Sequence, residues 1–211
     1  MDKDYLIVDE KTTFIGDTVK IGKNVKIYEN NRIEGNTIIG DNSVILPNCY
    51  IVDCEIGENT TINFSQLEGA TIGKDCSVGP FARIRPKTKI LNKVKIGNFV
   101  EIKNSTIGNN TKVSHLAYVG DAEIGEDCNI GCGVIFVNYN GKEKQKSIVG
   151  DNCFIGSNCN VIAPIVIEDN SYICAGTTVT DNVKNNDFVI GRVVPTIKEN
   201  RAKKYLKKFK E

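Results

Sequence analysis

An aliphatic residue returns every six residues along most of this chain, and a glycine often follows it directly. Pairs of this kind are Ile21-Gly22, Ile39-Gly40, Ile56-Gly57, Ile72-Gly73, Ile96-Gly97, Ile107-Gly108, Ile124-Gly125 and Ile155-Gly156. The step runs from about Ile15 to Val183, and it fits neither the roughly 3.6-residue period of an amphipathic helix nor the alternation of one strand. It predicts a solenoid of about nine coils, in which three hexads make one triangular coil of about 18 residues and stacked coils pair short strands in parallel.

Each position of the hexad has a physical role in such a coil. The aliphatic residue points into a narrow interior, where full burial contributes about 1.5–3 kcal/mol. The fourth residue after it is small, because a bulky group there would overfill the coil. The third is often asparagine, which tolerates the left-handed backbone conformation of a tight corner. These corner asparagines are Asn24, Asn36, Asn42, Asn48, Asn59, Asn110, Asn152, Asn158 and Asn170.

Two kinds of irregularity interrupt the step. Steps of five residues occur at Ile51 to Ile56, Ile102 to Ile107 and Val119 to Ile124. A larger break spans Phe136 to Ile148, where the six-residue rhythm is lost, and it predicts a loop that leaves the coil wall. Insertions into a solenoid usually lie on its binding face. We therefore expect function to be concentrated near this loop.

Composition places the chain among ordinary globular proteins. Its 211 residues are 40% hydrophobic and carry a net charge of +1, so one folded domain needs neither a membrane nor a nucleic acid as partner. No run of about 18 apolar residues occurs, and residues 1–14 lack the basic start and apolar segment of a signal peptide. We expect a cytoplasmic protein.

The chain has eight cysteines, and their spacing follows the coil. Five of them occupy the small fourth position of the hexad: Cys49, Cys76, Cys128, Cys153 and Cys159. No C-x-x-C pair occurs, and Cys128 with Cys132 lacks further cysteine or histidine partners at zinc spacing. We expect buried free thiols that act as small hydrophobic groups, and no metal site.

Positive charge is concentrated at the C-terminal end. Residues 192–211 contain eight basic and two acidic residues, a local charge of +6, so the rest of the chain carries +1 − 6 = −5. Pro195 ends the repeat, and Ala202, Tyr205, Leu206 and Phe209 then recur at helical spacing, which predicts an amphipathic helix. Such a helix caps the solenoid or packs on a neighbouring subunit, or it forms a basic lip that attracts an anionic cosubstrate.

Unusual residues are densest in residues 79–141. His115, the one histidine of the chain, follows an aliphatic position by two residues and so points outward. With about 18 residues in a coil, residues 85, 103 and 121 stack, so that Arg85 and Lys103 place two cations in adjacent layers. Two aligned cations beside an imidazole suit a phosphorylated substrate that must lose a proton. An inert surface histidine and a solvated charged face are the alternatives.

Five strings of the chain, in order, resemble one known domain: GPFARIRP at 79–86, GNFVEIKN at 97–104, SHLAYVGDAEIG at 114–125, the NY of VNYNGK at 137–142, and AGTTVT at 175–180. They are similar to the C-terminal acetyltransferase domain of the bacterial bifunctional enzyme that acetylates glucosamine-1-phosphate and then uridylylates it. Hexapeptide repeats alone would indicate only the large group of left-handed β-helix acyltransferases, whereas the five strings together are far more specific.

The resemblance implies an all-β fold, a left-handed parallel β-helix over residues 1–192 with the loop 136–148 extruded. A basic tail with a short C-terminal helix would follow over residues 193–211. It also implies a homotrimer with sites at subunit interfaces, which moves the acetyl group of acetyl-CoA to the 2-amino group of glucosamine-1-phosphate. That product leads to UDP-N-acetylglucosamine and cell-wall precursors, and no metal is expected in the reaction.

Residue roles follow from the same resemblance. His115 matches the general base, which takes a proton from the sugar amine as it attacks the thioester. The positions that match sugar-phosphate contacts are Arg85, Lys103, Tyr118, Asn129 and Lys144, with Glu101 as a polar partner of the amine or of the base. The positions that match the acetyl-CoA groove are Cys132, Asn138, Tyr139, Ser157, Ala175 and Arg192. Asn138 and the region of Ser157 are also candidate donors to the oxyanion.

The chain departs from the family pattern in three places. Cys132 stands where many members have alanine, and the tail has no tryptophan. We expect no N-terminal uridylyltransferase domain in these 211 residues, since no glycine-rich nucleotide loop followed by alternating strands and helices occurs. The sequence is compatible with a fragment of a longer protein and with a natural one-domain enzyme. Two alternative functions also remain: a hexapeptide acyltransferase with another acceptor, and a non-catalytic solenoid for trimerisation or regulation.

Overall fold

The computed structural model describes residues 4–206, which form short strands with almost no helix. In chain order the strands are β1 Leu6–Ile7, β2 Phe14–Ile15, β3 Lys20–Ile21, β4 Lys26–Ile27, β5 Arg32–Glu34, β6 Ile38–Ile39, β7 Val44–Ile45, β8 Tyr50–Val52, β9 Glu55–Ile56, β10 Thr61–Ile62, β11 Gln66–Glu68, β12 Thr71–Ile72, β13 Ser77–Val78, β14 Arg83–Ile84, β15 Lys89–Ile90, β16 Lys95–Asn98, β17 Glu101–Lys103, β18 Thr106–Ile107, β19 Lys112–His115, β20 Tyr118–Gly120, β21 Ala122–Ile124, β22 Asn129–Ile130, β23 Ile135–Val137, β24 Ser147–Val149, β25 Phe154–Ile155, β26 Asn160–Ile162, β27 Ile165–Ile167, β28 Tyr172–Ile173, β29 Thr178–Val179 and β30 Phe188–Val189. Over residues 4–206 the helical content is one 3-10 turn at Arg201–Lys204, and no helix there is long and apolar enough to cross a membrane.

Successive strands belong to three different sheets, so each coil of the chain visits all three in turn. Within the described residues the first sheet has 11 strands and starts at β1, the second has 10 and starts at β2, and the third has 9 and starts at β3. Strands of neighbouring coils pair in parallel, as Ile96 does with Val113. The six-residue step therefore predicts the three-sided solenoid correctly, although the middle sheet shows ten layers where the hexad count predicts about nine.

The interior is one continuous column of aliphatic side chains. Ile39, Ile56, Ile72 and Ile96, which carry the repeat, are each 1% exposed. Phe136 is the largest fully buried side chain of the described part of the protein. Because each coil buries its aliphatic residues against the coils above and below, hydrophobic stabilisation is spread along the stack.

All eight cysteines are free thiols, and seven of them are buried. The exception is Cys132, which is exposed. The five cysteines on the small hexad position are among the buried ones, so that prediction is confirmed. Burial raises the pKa of the Cys49 thiol to about 11, which keeps it protonated. These thiols serve as small interior groups.

The corners use the left-handed backbone conformation that the asparagine pattern predicts. Positive φ angles occur at Asn24, Asn42, Asn48, Asn59, Asn110, Asn152, Asn158 and Asn170. Asn36 is the exception, because the preceding Gly35 takes the left-handed position with φ 64°. At the five-residue steps a single residue turns the corner, for example Asp53 and Asp121, each with φ 51°.

Two edges of the solenoid carry the predicted site residues. The edge between the first and second sheets, here called the histidine edge, contains Asn98, His115, Cys132, Ser157, Ala175 and Arg192. The edge between the second and third sheets, here called the lysine edge, contains Arg85, Lys103, Asp121, Asn138 and Lys144. His115 and the cations therefore lie at opposite ends of the second sheet.

The five-residue steps set the register of the lysine edge. The pairing of β14 with β17 places Arg85 beside Lys103. In the next coil Lys103 pairs with Gly120, so the prediction that residues 85, 103 and 121 stack is wrong at its third member. The short step after β17 leaves 120 − 103 = 17 residues in this coil, and Asp121 turns the corner instead.

The break in the rhythm is a loop, but it is shorter than the predicted 136–148. Phe136 is completely buried in β23 and Ser147 begins β24, so the loop covers residues 138–146. An antiparallel bridge joins Tyr139 to Lys144, and the side chain of Asn140 accepts two backbone N–H groups at 2.9 Å. The loop is thus a compact hairpin that leaves the lysine edge.

The tail does not form the predicted amphipathic helix within the described residues. The 3-10 turn at Arg201–Lys204 has no side-chain cap and no buried residue. Val193, Val194 and Ile197 before it are 85–90% exposed. A single turn without packing cannot offset the entropy lost on ordering it. Phe209, the last apolar residue of the predicted helix, lies outside the described residues.

Candidate active site

Cations and carboxylates pair closely at the lysine edge. Arg85 Nη1 donates to Glu101 Oε1 at 2.8 Å, and both side chains are 38% exposed. Lys103 Nζ lies 3.3 Å from Asp121 Oδ2, and these side chains are only 17% and 11% exposed. The edge therefore combines one surface pair with one largely buried pair, and packing restricts the geometry of the second.

Asp121 lies at the centre of this network. Besides Lys103, its carboxylate accepts hydrogen bonds from Asn104 Nδ2 and Asn138 Nδ2, both at 2.5 Å. Burial by itself would raise the pKa of Asp121, but the bonds from Asn104, Asn138 and Lys103 outweigh it and lower that pKa below its ordinary value. The carboxylate is therefore charged at neutral pH. Asp121 was not named as a site residue from the sequence, although 121 − 104 = 17 residues, one coil, places it beside Asn104.

The orientation of Asn138 follows from this network. A carboxylate accepts and does not donate, so the amide nitrogen of Asn138 must face Asp121 while Oδ1 faces the other way. The same nitrogen lies 3.4 Å from Tyr118 Oη. Gly120 leaves the space for this contact, since a Cβ there would lie 2.7 Å from Asn138 Nδ2 and closer still to Tyr118 Oη. Asn138 thus presents an acceptor, which does not match its predicted role as oxyanion donor.

Lys144 brings a third cation from the loop to the lysine edge. The pKa of Lys144 is lowered by a hydrogen bond with Lys103 and by the charge of Lys103. The pKa of Lys103 is raised, first through the same hydrogen bond and then through Asp121. In that hydrogen bond the Lys144 amine accepts from the Lys103 ammonium group, and when both groups are protonated they repel one another, which an anion bound between them would relieve.

His115 lies at the opposite edge of the second sheet, where its side chain has one hydrogen bond. Its ring is exposed, and Nδ1 lies 2.7 Å from Oδ1 of Asn98, the residue paired with it in the neighbouring layer. A carbonyl oxygen only accepts, so Nδ1 carries the hydrogen in this arrangement and Nε2 keeps a lone pair. A fixed tautomer with a free Nε2 is what a general base requires. Asn98 was also missed, although 115 − 98 = 17 residues is one coil.

A shallow depression of about 340 Å³ lies on the second sheet between the two edges. It is lined by Phe99, Glu101, Leu116, Ala117, Tyr118, Gly133 and Ile135. Leu116 follows His115 directly, and Glu101 bonds to Arg85, so the depression adjoins the histidine at one end and the cations at the other. Its apolar floor and polar ends match the general form of a small-ligand site.

The structure does not bring His115 into contact with Arg85 or Lys103 within one chain. From His115 to Gly120, which pairs with Lys103, five residues of extended chain span up to about 16 Å. The prediction that the two cations lie beside the imidazole is therefore not met within one chain. The imidazole and the cations lie at two ends of the depression, and a ligand must reach from one to the other.

A second groove of about 340 Å³ lies on the third sheet, beyond the lysine edge. Lys87 and Lys89 line it from the coil wall, and Lys144 and Lys146 line it from the loop. Asp121 lines it as well, so its carboxylate forms part of the wall between this groove and the second sheet.

Most of the residues predicted for the cofactor line the histidine edge. Cys132, Ser157, Ala175 and Arg192 are exposed there, one to each layer beyond His115. Arg192 Nη1 donates to the backbone carbonyl of Ala175 at 3.3 Å, which holds its side chain against this edge. One open strip thus leads from the imidazole to the start of the basic tail.

Two residues predicted for the cofactor lie outside this strip. Asn138 and Tyr139 belong to the loop at the other edge, and Tyr139 is 57% exposed with its hydroxyl donating to the carbonyl of Gly141. Asn129, which was predicted to contact the sugar phosphate, is on the first sheet, paired with Phe154 of the next coil. A single chain therefore does not collect all the predicted cofactor contacts in one place.

Comparison with known proteins places this geometry in a family. Residues 18–53 match the family described as "Bacterial transferase hexapeptide (six repeats)", residues 147–181 match "Hexapeptide repeat of succinyl-transferase", and residues 66–139 match "GMPPB C-terminal domain". The chain is 48% identical over 199 residues to the "Bifunctional protein GlmU" of Clostridium acetobutylicum, covering 94% of this chain. It is 47% identical over 208 residues to the GlmU of Thermoanaerobacter pseudethanolicus, covering 99% of this chain. The chain is a hexapeptide-repeat protein related to GlmU.

The similarity to GlmU extends over only part of each relative's length. The chain spans less than half the length of the curated relatives that it matches, 44% of the Clostridium acetobutylicum protein and 46% of the Thermoanaerobacter one. It corresponds to the C-terminal part of GlmU. The resemblance drawn from the five strings is thereby confirmed.

Solved structures show the same fold at lower identity. LpxA from Bacteroides fragilis 9343, a UDP-N-acetylglucosamine acyltransferase, superposes with a TM-score of 0.60 at 21% identity over 85% of this chain and 70% of that chain. The UDP-N-acetylglucosamine acyltransferase of Francisella novicida gives 0.55 at 18% identity over 88% of this chain and 67% of that chain. Together with the hexapeptide repeats, they identify the solenoid as a left-handed parallel β-helix.

Proposed function

We propose that this chain transfers the acetyl group of acetyl-CoA to the 2-amino group of glucosamine-1-phosphate. One observation carries the proposal: the depression on the second sheet adjoins His115, through Leu116, at one end and the cations of the lysine edge, through Glu101 and its partner Arg85, at the other. The relation to a bifunctional protein named GlmU supports the choice of substrate. The proposal concerns acetyl transfer alone.

The sugar phosphate would lie along the second sheet. Its phosphate would meet the crowded ammonium groups of Lys103 and Lys144, where an anion relieves their repulsion. Arg85, which is held by Glu101, would add a guanidinium suited to phosphate oxygens. The sugar ring would cover the depression beside Tyr118, and the amine would then point toward the histidine edge.

Proton transfer and bond formation would occur at that edge. Nε2 of His115 takes a proton from the amine as its nitrogen attacks the thioester carbonyl carbon, and a C–N bond forms. The tetrahedral intermediate collapses as the C–S bond breaks, and coenzyme A leaves as a thiolate that then takes up a proton. The bond from Nδ1 to Asn98 keeps the base in the correct tautomer throughout. Cys132 follows His115 along the exposed strip, but this direct route requires no acyl-enzyme.

Acetyl-CoA would occupy the open strip of the histidine edge. Cys132, Ser157 and Ala175 offer small side chains on which an extended cofactor can lie, and Arg192 offers a charge to a coenzyme A phosphate. The residues of the strip are exposed in one chain, and Asn138 and Tyr139, which were also predicted for the cofactor, lie away from it. These facts support a homotrimer in which a neighbouring copy completes the groove.

The test is an acetylation assay with purified protein, acetyl-CoA and three acceptors: glucosamine-1-phosphate, glucosamine and serine. Release of coenzyme A is followed as free thiol, and the acetylated product is identified by mass spectrometry. We expect turnover with glucosamine-1-phosphate and at most trace turnover with the other two. Turnover with glucosamine or serine and not with the phosphate ester would contradict the substrate, and thiol release equal to the blank with all three would favour a non-catalytic solenoid.

The trimer is tested separately by light scattering after gel filtration. The expected mass is about three times the 23.2 kDa of one chain. A monomer that nevertheless acetylates glucosamine-1-phosphate would show that one chain completes the groove by itself.

A further inference from the structure

The carboxylate of Asp121 joins three separate elements of the lysine edge. It accepts from Lys103 at the end of β17, from Asn104 at the corner, and from Asn138 at the root of the loop. The residue itself is a left-handed corner with φ 51°, and its side chain is 11% exposed. No other carboxylate in residues 4–206 has hydrogen bonds from two side-chain amides and an ammonium group together.

We propose that Asp121 is a positioning residue that couples the loop 138–146 to the phosphate-binding lysine, so that Lys103 and Asn138 are presented to substrate as one unit. The inference rests on the proposed function, because it assigns to Asp121 the geometry of the sugar-phosphate end. Asp121 itself does not touch substrate.

The count of lone pairs supports an indirect role. A carboxylate offers about four acceptor positions, and three donors already occupy this one at short range. An exposed carboxylate beside a phosphate would repel it, whereas this one lies beneath the ammonium group of Lys103. Lys103 has three N–H donors, so the bond to Asp121 directs the group and leaves donors for phosphate oxygens.

Asn138 is the second group that Asp121 orients. Since Asp121 takes the amide nitrogen, Oδ1 is turned away from the network as an acceptor. Asn138 is 6% exposed, and its backbone carbonyl accepts from Gln145 N at 2.7 Å, which closes the base of the loop. Loss of the carboxylate would therefore release both the side chain of Asn138 and the loop that depends on it.

The experiment compares Asp121→Asn with Asp127→Asn in the full chain. Asp127 is a matched control because it lies in the same coil, is exposed, and is also left-handed with φ 53°. Asparagine keeps the size and corner conformation in both variants, so Asp121→Asn removes the charge and puts an amide in place of one acceptor oxygen. Three quantities are measured: KM for each substrate, the thermal midpoint, and the rate of limited tryptic cleavage after Lys142, Lys144 and Lys146 in the loop.

For Asp121→Asn we expect KM for glucosamine-1-phosphate to rise about tenfold or more while KM for acetyl-CoA stays within about twofold. Tryptic cleavage of the loop should become several-fold faster, while the thermal midpoint falls only modestly below that of Asp127→Asn, because the charged carboxylate contributes some stability. A purely structural role would lower the thermal midpoint and reduce all kinetic parameters together. That outcome, or a variant indistinguishable from Asp127→Asn, would overturn the proposal.

A double-mutant cycle addresses a variant that folds poorly. Asn138→Ala removes the partner without touching the corner, and it should release the loop to trypsin as Asp121→Asn does. If the two residues act as a unit, the double variant is cleaved no faster than either single one, whereas additive rates would contradict the coupling. The protease readout needs no substrate. Failure of wild-type protein to acetylate glucosamine-1-phosphate would refute the proposed function, and this cycle would still decide the coupling.

Discussion

The two edges of the second sheet are built from the same repeat, but they differ in how many hydrogen bonds hold their functional side chains in place. At the lysine edge Asp121 collects three hydrogen bonds from its own chain, and Asp121, Lys103 and Asn138 are largely buried. At the histidine edge the side chain of His115 has one hydrogen bond, to Asn98, and the residues that follow it are exposed. The anion-binding half of the site is thus organised within one chain, while the acetyl-transfer half is open to a second surface.

The cause of the difference lies in the turns. The five-residue steps fall at the lysine edge, where Asp121 turns the corner with its side chain 11% exposed. At the histidine edge bulky residues adopt left-handed corners, so Phe81 and Phe99 point outward and stack at 5.3 Å. Leu116 beside His115 is 59% exposed in the same way. An apolar edge of this kind gains free energy when another surface covers it.

The largest expected effect lies at the histidine edge. We expect His115→Ala to lower kcat for acetyl transfer by about 10²–10⁴-fold, because it removes the base. The ring is exposed, so the thermal midpoint should stay close to that of wild type. Steady-state kinetics and calorimetry check the two parts. A variant with more than half of the wild-type rate would remove His115 from the mechanism.

Lys103→Met tests the lysine edge with an uncharged side chain of similar length. We expect KM for glucosamine-1-phosphate to rise about 10–100-fold, with kcat affected less, because the ammonium group binds phosphate in ground and transition states alike. Lys95→Met is the matched control, since Lys95 is an exposed lysine on the first sheet. Equal KM values for the two variants would mean that phosphate binds elsewhere.

Asn98→Ala probes the single bond that orients the base. We expect kcat to fall about tenfold with KM for both substrates nearly unchanged, because the imidazole loses its fixed tautomer and not its place. Asn98→Asp, which keeps an acceptor at the same position, should recover most of the rate. A rise of KM in place of a fall of kcat would argue that Asn98 contacts a substrate directly.

Alkaline titration distinguishes Lys144 from an ordinary surface lysine. Its pKa is lowered by hydrogen bonding and repulsion from Lys103, so it loses its charge at lower pH than other lysines. KM for glucosamine-1-phosphate should therefore rise a few-fold on the alkaline side of neutrality, and Lys144→Arg should flatten that rise because arginine stays charged. The same pH profile in both proteins would exclude Lys144 as its source.

The smallest expected effect is an acid-dependent loss of stability at the lysine edge. The folded pKa of Asp121 lies below its unfolded value, so the charged carboxylate contributes stability above about pH 4, and that contribution is lost as pH falls through the folded pKa. Urea unfolding of wild type and Asp121→Asn should therefore show a difference at pH 7 that shrinks below pH 4. A difference that grows on acidification would mean that the sign of the shift is wrong.

Sequence periodicity predicted the repeat, the parallel sheets, the buried cysteines and almost all corner asparagines. The loop was found as well, but its start was placed too early, because Phe136 still fills the interior position of its hexad. The tail helix was predicted from spacing alone, and spacing does not tell whether a short segment has anything to pack against. Asp121 and Asn98 lie within the quoted strings but were not singled out, because the side chains that they bond to lie one coil away in the sequence.

The sequence by itself determined the architecture of this protein, because an aliphatic residue at every sixth position can be buried only if the chain folds in repeating three-sided coils. It also singled out His115 and the cations as unusual. Only the tertiary structure decided that these groups occupy opposite edges of one sheet, that Asp121 joins Lys103 to the loop, and that Asn138 presents an acceptor. These relations depend on register, because a five-residue step shortens its coil to 17 residues and so changes which residue of the next layer lies beside a given side chain.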